Sequence, residues 1–265
     1  MIIDGKAIAA EILARAKVRA RELPRAPLVV ALAAGEPGPA TRSYLKIKER
    51  TALEAGCRLE VRPFSTDYAD ADSVIVQLPL PAGLDERAAL DAIPLDKDAD
   101  VLSRGAREQF AKGEDGALLP PVVGAIAEIF TKYGVESRGK RAAVIGRGWL
   151  VGEPAAAWLM QREAKVTTLD KGAKLGQELQ DADIIVCGAG APHLVKPYML
   201  KEGAVLIDAG TSEQGGALVG DADPACATKC SVFTPVPGGV GPIAVAKLFE
   251  NALILAERKV PFSAS

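Results

Sequence analysis

Four side chains in this sequence carry groups that could move a proton or hold a polar ligand if the fold brought them together. Tyr44 and Lys48 stand four residues apart within TRSYLKIKERTALEA, a stretch of helical periodicity, so both reach the same side of one helix. Lysine accepts a proton near neutrality only if its charged form is penalised, and desolvation does that, so a working Lys48 is expected to have a lowered pKa. Gln77 closes the apolar run Val74 to Leu78 just ahead of Pro79 and Pro81, where its amide can leave the strand end, and Asp100 ends the acidic loop DKDAD. Each has a plainer explanation: a solvated helix face for the Tyr–Lys pair, a satisfied buried amide for Gln77, an acidic surface loop for Asp100.

A second group of residues suits a nucleotide. Gly146-Arg-Gly-Trp-Leu-Val-Gly152 follows the strand-like RAAVI and precedes the helical EPAAAWLMQRE, the strand–turn–helix context of a dinucleotide-binding turn, although its spacing is not G-x-G-x-x-G. Gly146 and Gly148 permit a tight turn, and the helix start favours phosphate through its dipole and N–H groups; a glycine-rich turn with no ligand is the alternative. Arg147 matches a phosphate and points to NADP; Asp170 ends the next predicted strand, where an acid commonly takes the ribose hydroxyls of NAD. The two residues pull in opposite directions, and an exposed loop aspartate is the bland alternative for Asp170.

The run Thr234-Pro-Val-Pro-Gly-Gly-Val-Gly-Pro242 reads as a rigid loop: its prolines restrict φ, while its glycines allow a flat ligand to approach the backbone. An ordinary strand-to-helix connection is the alternative. His193 is the only histidine, which argues against an imidazole-rich zinc site or a Ser/His/Asp relay and leaves proton transfer to Lys, Tyr, Asp, Glu or water. Cys57 and Cys187 sit in apolar settings, and Cys226 and Cys230 form a C-x-x-x-C pair that reflects helix composition more readily than metal binding.

These residues need elements to position them. Residues 4 to 22 place Ile8, Ile12, Leu13 and Ala16 on one helical face; Leu28 to Ala34 reads as a buried strand, Thr41 to Ala55 as a helix ended by Gly56, Val74 to Leu78 as a strand, and Leu84 to Ala92 as a helix. A first lobe is expected to be complete by about residue 118. The segment from Arg62 to Val74 is expected to be a trimmed crossover. Leu118 to Tyr133 predicts a long helix, and strands follow at Arg141 to Ile145, Val166 to Leu169, Ile184 to Val186, Val205 to Asp208 and Val232 to Phe233, the alternation of a parallel, Rossmann-like sheet. After Pro242, Val245, Leu248, Phe249 and Ala252 form one apolar stripe, and Pro261 ends regular helix.

A chain of 265 residues, 49% hydrophobic and 25% charged, is long enough for a sizeable core. With 32 basic against 34 acidic residues its net charge is -2, so no global field points to nucleic acid or an anionic membrane. The start, MIIDGKAIAAEIL, lacks a basic region followed by an uninterrupted apolar segment, and the cytoplasm is the expected location.

Six segments in order resemble the bifunctional methylenetetrahydrofolate dehydrogenase/cyclohydrolase family: Tyr44-Leu-Lys-Ile-Lys48, Val76-Gln-Leu-Pro-Leu80, Lys97-Asp-Ala-Asp100, Gly146 through Pro154, Val219-Gly-Asp-Ala-Asp223, and Thr234 through Pro242. The resemblance spans nearly the whole chain. Short-chain dehydrogenases also use Y-x-x-x-K, but there it follows the nucleotide motif, whereas here it precedes it by about 100 residues.

The resemblance implies a two-lobed α/β protein: an N-terminal folate-binding catalytic lobe over residues 1–118, joined by a returning C-terminal helix over 243–265, and a Rossmann-like NAD(P)-binding lobe over 119–242, with the active cleft between them. It gives Lys48 the acid/base role, Tyr44 the positioning of the folate ring system, and Gln77 the support of the lysine. Asp100 takes the amino-pyrimidinone edge of the pterin, and Leu78, Pro237, Gly238 and Gly239 complete the folate contacts. Gly146, Arg147, Gly148, Gly152, Asp170 and Thr211 hold the nucleotide, NADP with NAD as the alternative. The implied partners are tetrahydrofolate one-carbon derivatives and a second copy in a homodimer, with no nucleic acid, membrane or metal.

The chain departs from the family pattern at several of these places. Gly148 stands for a serine, Leu169-Asp170 for a His-Ser pair, Val101 for a glycine, Leu119-Pro-Pro-Val-Val123 for Pro-Cys-Thr-Pro, and Ala244 for a threonine. Two alternatives stay open on that account: a dehydrogenase with weak or no cyclohydrolase activity, and a folate- or nucleotide-binding regulatory relative.

Overall fold

LVVALA, the most apolar short run in the N-terminal part, forms β1 (Leu28–Ala33), and every residue of it is buried. It has to be apolar on both faces because it is the middle strand of a parallel sheet, flanked by β2 (Arg58–Pro63) and β3 (Ser73–Val76) in the order β2-β1-β3. The computed structural model describes residues 1–34, 39–64, 67–170 and 172–260.

Around this sheet run α1 (Gly5–Ala20), α2 (Pro39–Ala55), α3 (Glu86–Asp91) and α4 (Arg104–Lys112). Asp4 Oδ1 caps α1 by accepting from Lys6 N at 3.0 Å and Ala7 N at 3.1 Å. α2 stops where Gly56 takes φ 82°, and Cys57 N reaches back to Ala52 O at 2.8 Å, which satisfies a carbonyl the helix would leave open. Ser103 caps α4 by accepting from Ala106 N, and Gly113 ends it with φ 65°.

The second sheet has five parallel strands, β4 (Arg141–Ile145), β5 (Lys165–Leu169), β6 (Ile184–Cys187), β7 (Ala204–Asp208) and β10 (Cys230–Phe233), in the order β10-β7-β6-β4-β5. It is Rossmann-like. α5 (Pro121–Tyr133) leads into it, and α6 (Gly152–Gln161) and α7 (Leu175–Gln180) connect its strands. Small residues on α6, the buried Ala155 and Ala156, let that helix approach the sheet, and Trp158 packs edge-on to Phe130 with centroids 5.4 Å apart. A small hairpin, β8 (Ser212–Gln214) with β9 (Ala217–Val219), interrupts the run between β7 and β10. The chain ends in α8 (Val240–Glu257).

Contacts divide the chain into two units: Met1–Ile8 with Val122–Ala244, and Ala9–Pro121 with Val245–Ser265. Residues 1–8 group with the five-stranded sheet because Ile3 N donates to Phe233 O and Phe233 N to Met1 O, each at 2.9 Å, adding the N-terminus beside β10. α1 and α8 each begin in one unit and continue in the other.

Several details depart from expectation. β2, α4 and the β8–β9 hairpin are additional elements, and the helix expected from Leu118 begins at Pro121, whose ring suits a first helical turn. The described residues between β2 and β3 form no helix, so the crossover is as short as its sequence suggests; residues 65–66 lie outside the described part. Cys226 and Cys230 do not share a helix: Cys226 lies in the 3-10 turn Pro224–Thr228 and Cys230 opens β10. All four cysteines are buried and free, and burial pushes the Cys57 and Cys226 thiols up to about 12, which makes them poor nucleophiles.

Candidate functional site

In the unit Ala9–Pro121 with Val245–Ser265, three of the sequence candidates converge. Lys48, on α2, donates from Nζ to Gln77 Oε1 at 3.1 Å, and Gln77 Nε2 donates to Leu78 O at 2.8 Å. These two bonds fix the amide's orientation: a flip would set its NH₂ against the lysine donors and its oxygen against a carbonyl. Gln77 is itself placed by its backbone N, which continues the sheet by donating to Leu32 O at 2.9 Å. Burial pushes the Lys48 amine below the ordinary lysine range, and the charge of Asp100 opposes that shift. Tyr44, one turn earlier, is 47% exposed, and Leu78 is half-buried before a cis bond to Pro79.

Asp100 is half-buried, and its carboxyl is pushed up to about 6, first by burial, with the Lys48 charge pulling down and Asp98 pushing up. Its loop is held by two residues that sequence reasoning missed. Asp98, 1% exposed, accepts from Leu102 N at 3.0 Å and Ser103 N at 2.8 Å through one oxygen. Asn251 on α8 donates to both Ala99 O and Leu119 O at 2.9 Å. The only legible signal for Asp98 was its place in DKDAD; Asn251 is a lone polar residue on the apolar face of α8.

Between these clamps Val101 takes φ 58° and is 1% exposed, in the position where the family pattern has glycine. A left-handed β-branched residue costs about 1–2 kcal/mol, while its buried side chain returns a stabilisation of about 1.5–3 kcal/mol. Val101→Gly is therefore expected to destabilise no more than Val101→Ala, reversing the usual order, because alanine loses most of the burial and keeps the strain. Denaturant unfolding of both variants reads this directly, and a glycine variant less stable than the alanine one by about 1 kcal/mol, the ordinary penalty, would count against it.

The unit Met1–Ile8 with Val122–Ala244 carries the glycine turn. β4 has β6 on one side and β5 on the other, so the strand order reverses between β4 and β6, the point outside the carboxyl ends where doubly wound sheets hold ligands. The turn from Gly146 to Gly152 lies there with Gly188 to Ala191. Gly146 has φ 101°, and a Cβ on Gly152 would come within 2.0 Å of Gly146 O, so both glycines are required for the turn to close. Val151 N and Glu153 N both donate to Gly148 O, so part of the helix-start donor set is spent inside the turn. Gly148 is exposed, and a Cβ there would meet nothing within 4 Å. Arg147 and Asp170, read from sequence as opposing signals, pair with each other: Arg147 Nε donates to Asp170 Oδ1 at 3.0 Å. Thr211 is exposed just past β7. A backbone cradle that side chains would fill, an exposed guanidinium and an acid at the next strand end fit a nucleotide.

Two buried carboxylates hold that cradle together, and neither was singled out from sequence. Asp221 accepts from Ala189 N at 2.6 Å, Gly190 N at 3.2 Å and Ala191 N at 2.7 Å. Asp208 accepts from Gly210 N at 3.0 Å, Asp221 N at 3.2 Å and Ala222 N at 2.8 Å. The acids interlock through glycines: a Cβ on Gly210 would lie 2.2 Å from the Asp221 carboxyl carbon, and one on Gly220 would lie 2.1 Å from Asp208 Oδ2. Asp221, next to Gly220 in a loop, looks like turn chemistry, and Asp208 reads as the last residue of a buried strand, which hid them.

The proline–glycine loop belongs to this same unit. Its Val236–Pro237 bond is cis, Gly238 has φ 101° and Gly239 N donates to Pro235 O at 2.8 Å. Gly5 N donates to Gly238 O at 2.9 Å, and a Cβ on Gly5 would lie 1.8 Å from Gly239 O, so the start of α1 is packed directly against this loop. His193, in the turn after the 188–191 segment, has φ 52°. Among the described residues no group of three or more His, Cys, Asp or Glu could hold a metal ion, and no helix is long and apolar enough to cross a membrane.

Comparison with known proteins covers both units. The model of the tetrahydrofolate dehydrogenase/cyclohydrolase catalytic domain matches residues 3–100, and that of the same family's NAD(P)-binding domain matches residues 120–260. The bifunctional protein FolD of Halothermothrix orenii is 38% identical over 275 aligned positions, covering 95% of this chain and 96% of that protein. Among solved structures, the bifunctional FolD enzyme of Campylobacter jejuni aligns with a TM-score of 0.93 at 28% identity over 98% of this chain and 99% of its own. The Trypanosoma brucei methylenetetrahydrofolate dehydrogenase-cyclohydrolase, solved with NADP and an inhibitor, aligns with a TM-score of 0.91 at 32% identity over 98% of both chains.

Proposed function

The chain belongs to the tetrahydrofolate dehydrogenase/cyclohydrolase family, and from that premise we propose that Lys48, held by Gln77, is the proton-handling group of a bifunctional enzyme. It oxidises 5,10-methylenetetrahydrofolate to the 5,10-methenyl compound with NADP and hydrolyses that product to 10-formyltetrahydrofolate. The observation that carries the lysine assignment is the 3.1 Å bond from Nζ to Gln77 Oε1 on an amine whose pKa burial lowers.

NADP, when bound, accepts a hydride from the methylene carbon of the folate. Gly146, Arg147, Gly148, Gly152, Asp170 and Thr211 are the residues that would hold it. The methenyl product is cationic, and a neutral Lys48 avoids placing an ammonium beside it. With one N–H committed to Gln77, the neutral amine keeps a lone pair for the water that attacks the methenyl carbon. Lys48 takes a proton from that water and returns it to N5 as the carbon–N5 bond breaks; the hydroxyl proton leaves to solvent, giving the 10-formyl group. On the family resemblance Tyr44 is assigned to the folate ring system, and Leu78, Pro237, Gly238 and Gly239 are assigned to folate contacts.

Asp100 is assigned to the amino-pyrimidinone edge, where an ionised carboxylate accepts two N–H bonds. With its carboxyl at about 6, protonation on the acid side removes that acceptor pair, so KM for the folate is expected to rise as pH falls through about 6. Asp100→Asn should raise KM and abolish this acid limb; a limb unchanged in the variant would remove Asp100 from the role.

The reading as a whole is tested by ultraviolet assay with 5,10-methylenetetrahydrofolate and each nucleotide, following methenyl formation and decay separately. Formation without enzyme-dependent decay would leave a dehydrogenase alone, and binding without turnover a regulatory relative. We assign the protein to the cytoplasm as a homodimer by family resemblance, and the net charge of -2 favours neither nucleic acid nor an anionic membrane as partner.

A further inference from the structure

We propose that Asp170 sets the nucleotide preference of this enzyme by occupying Arg147, so that NAD is used alongside NADP and dependence on the 2′-phosphate is lost. The inference rests on the dehydrogenase reading above and concerns the adenosine end of the nucleotide. β4 and β5 are parallel neighbours paired Ile145 to Leu169, and Gly146 N donates to Leu169 O at 2.8 Å. The residues just beyond each strand end are thereby brought side by side. Arg147 uses this closeness: Nε donates to Asp170 Oδ1 at 3.0 Å and a terminal nitrogen donates to Thr168 O at 3.3 Å.

The consequence is a change in what the site offers. A lone guanidinium past the glycine turn presents one positive charge to a 2′-phosphate. The Arg147–Asp170 pair sums to zero charge, and the carboxylate stands at the end of the second strand, where doubly wound folds take ribose hydroxyls. A 2′-phosphate would take the remaining guanidinium donors and share the cation with the carboxylate beside it, two like-charged groups at one guanidinium. The ion pair is well exposed, 62% at Arg147 and 67% at Asp170, and exposed pairs are weak, so the phosphate is disfavoured and not shut out. Gly148 acts in the same direction: there is room for a hydroxyl-bearing side chain, and the chain supplies none.

Steady-state kcat/KM with NADP and with NAD, in wild type, Asp170→Ser, Arg147→Ala and the double variant, tests this. In wild type the two values should lie within about tenfold, and Asp170→Ser should raise the NADP-to-NAD ratio by at least about tenfold, through a lower KM for NADP. In the Arg147→Ala background the gain from Asp170→Ser should shrink to less than about threefold, because the cation that Asp170 occupies is gone. A ratio unmoved by Asp170→Ser, or an equal gain with and without Arg147, overturns the proposal. Calorimetric titration of the protein with NADP and NAD, without folate, reads the same preference independently of turnover. Loss of turnover with an intact binding preference would then defeat the dehydrogenase reading alone, and binding of neither nucleotide would defeat both.

Discussion

Lys48→Met is expected to lower cyclohydrolase turnover by about 10²–10⁴, the usual contribution of a positioned acid/base group, while reducing dehydrogenase turnover less. Methionine fills much of the lysine volume but carries no proton. Hydride transfer moves no proton at the reacting carbon and depends mainly on alignment, so it survives to the extent that the folate still seats. Hydrolysis needs a proton taken from water and one delivered to N5, and no histidine is available as a substitute in that unit, since the one histidine, His193, belongs to the other. The variant also leaves Gln77 Oε1 without its donor, so Lys48→Arg is the informative companion: it keeps charge and a donor but cannot release a proton near neutrality. Both variants should accumulate the methenyl compound. Methenyl decay at the wild-type rate in either variant would remove Lys48 from the chemistry. In wild type the cyclohydrolase rate should rise with pH as the amine becomes neutral, in a range below that of an ordinary lysine, because burial lowers its pKa.

The elements that could be read from sequence are those whose surroundings demand one kind of residue. β1, β4, β6 and β7 lie inside parallel sheets, and continuous apolar runs announced them. β2 was missed because it is an edge strand whose Arg58, Glu60 and Arg62 alternate with Leu59 and Val61; charge on an edge suits solubility and weakens the strand signal. α4 was missed for a related reason: RGAREQFAK buries only Ala106 and Phe110 and otherwise reads as polar loop.

The site divides the same way. Tyr44 and Lys48 share one helix, so their spacing was visible, but Gln77 and Asp100 reach Lys48 through sheet order and loop closure, which no local pattern encodes. The resemblance to a family supplied that long-range information. It could not say that Arg147 would find Asp170, because that pairing depends on Asp170, where this chain departs from the pattern.

The interlocked acids give the largest expected effect on stability. Asp221→Ala should cost about 3–5 kcal/mol, since it leaves three backbone N–H groups without an acceptor at about 1–3 kcal/mol each, discounted because the 189–191 segment can recover some water. For a unit of this size that is about 10–20 °C in Tm. Asp221→Asn should fall between alanine and wild type, because its amide keeps one acceptor and turns a donor toward the other N–H groups. The functional effect should be selective. The 188–191 segment flanks the reversal of strand order where the nucleotide is assigned, so KM for NADP should rise well before hydrolysis of added methenyl substrate is affected, that step being assigned to side chains of the other unit. Asp208 supplies a pH signature. Its carboxyl is pushed up to about 6, by burial first and then by the charge of Asp221, with its backbone donors pulling the other way. The folded protein therefore holds a proton there that the unfolded chain, with a carboxyl near ~3.9, has released, so this group makes stability fall as pH rises from about 4 to about 6. Removing the Asp221 charge lowers the Asp208 pKa and should flatten that slope. An Asp221→Ala protein with wild-type Tm and an unchanged slope would mean that the two carboxylates do not hold the nucleotide loops.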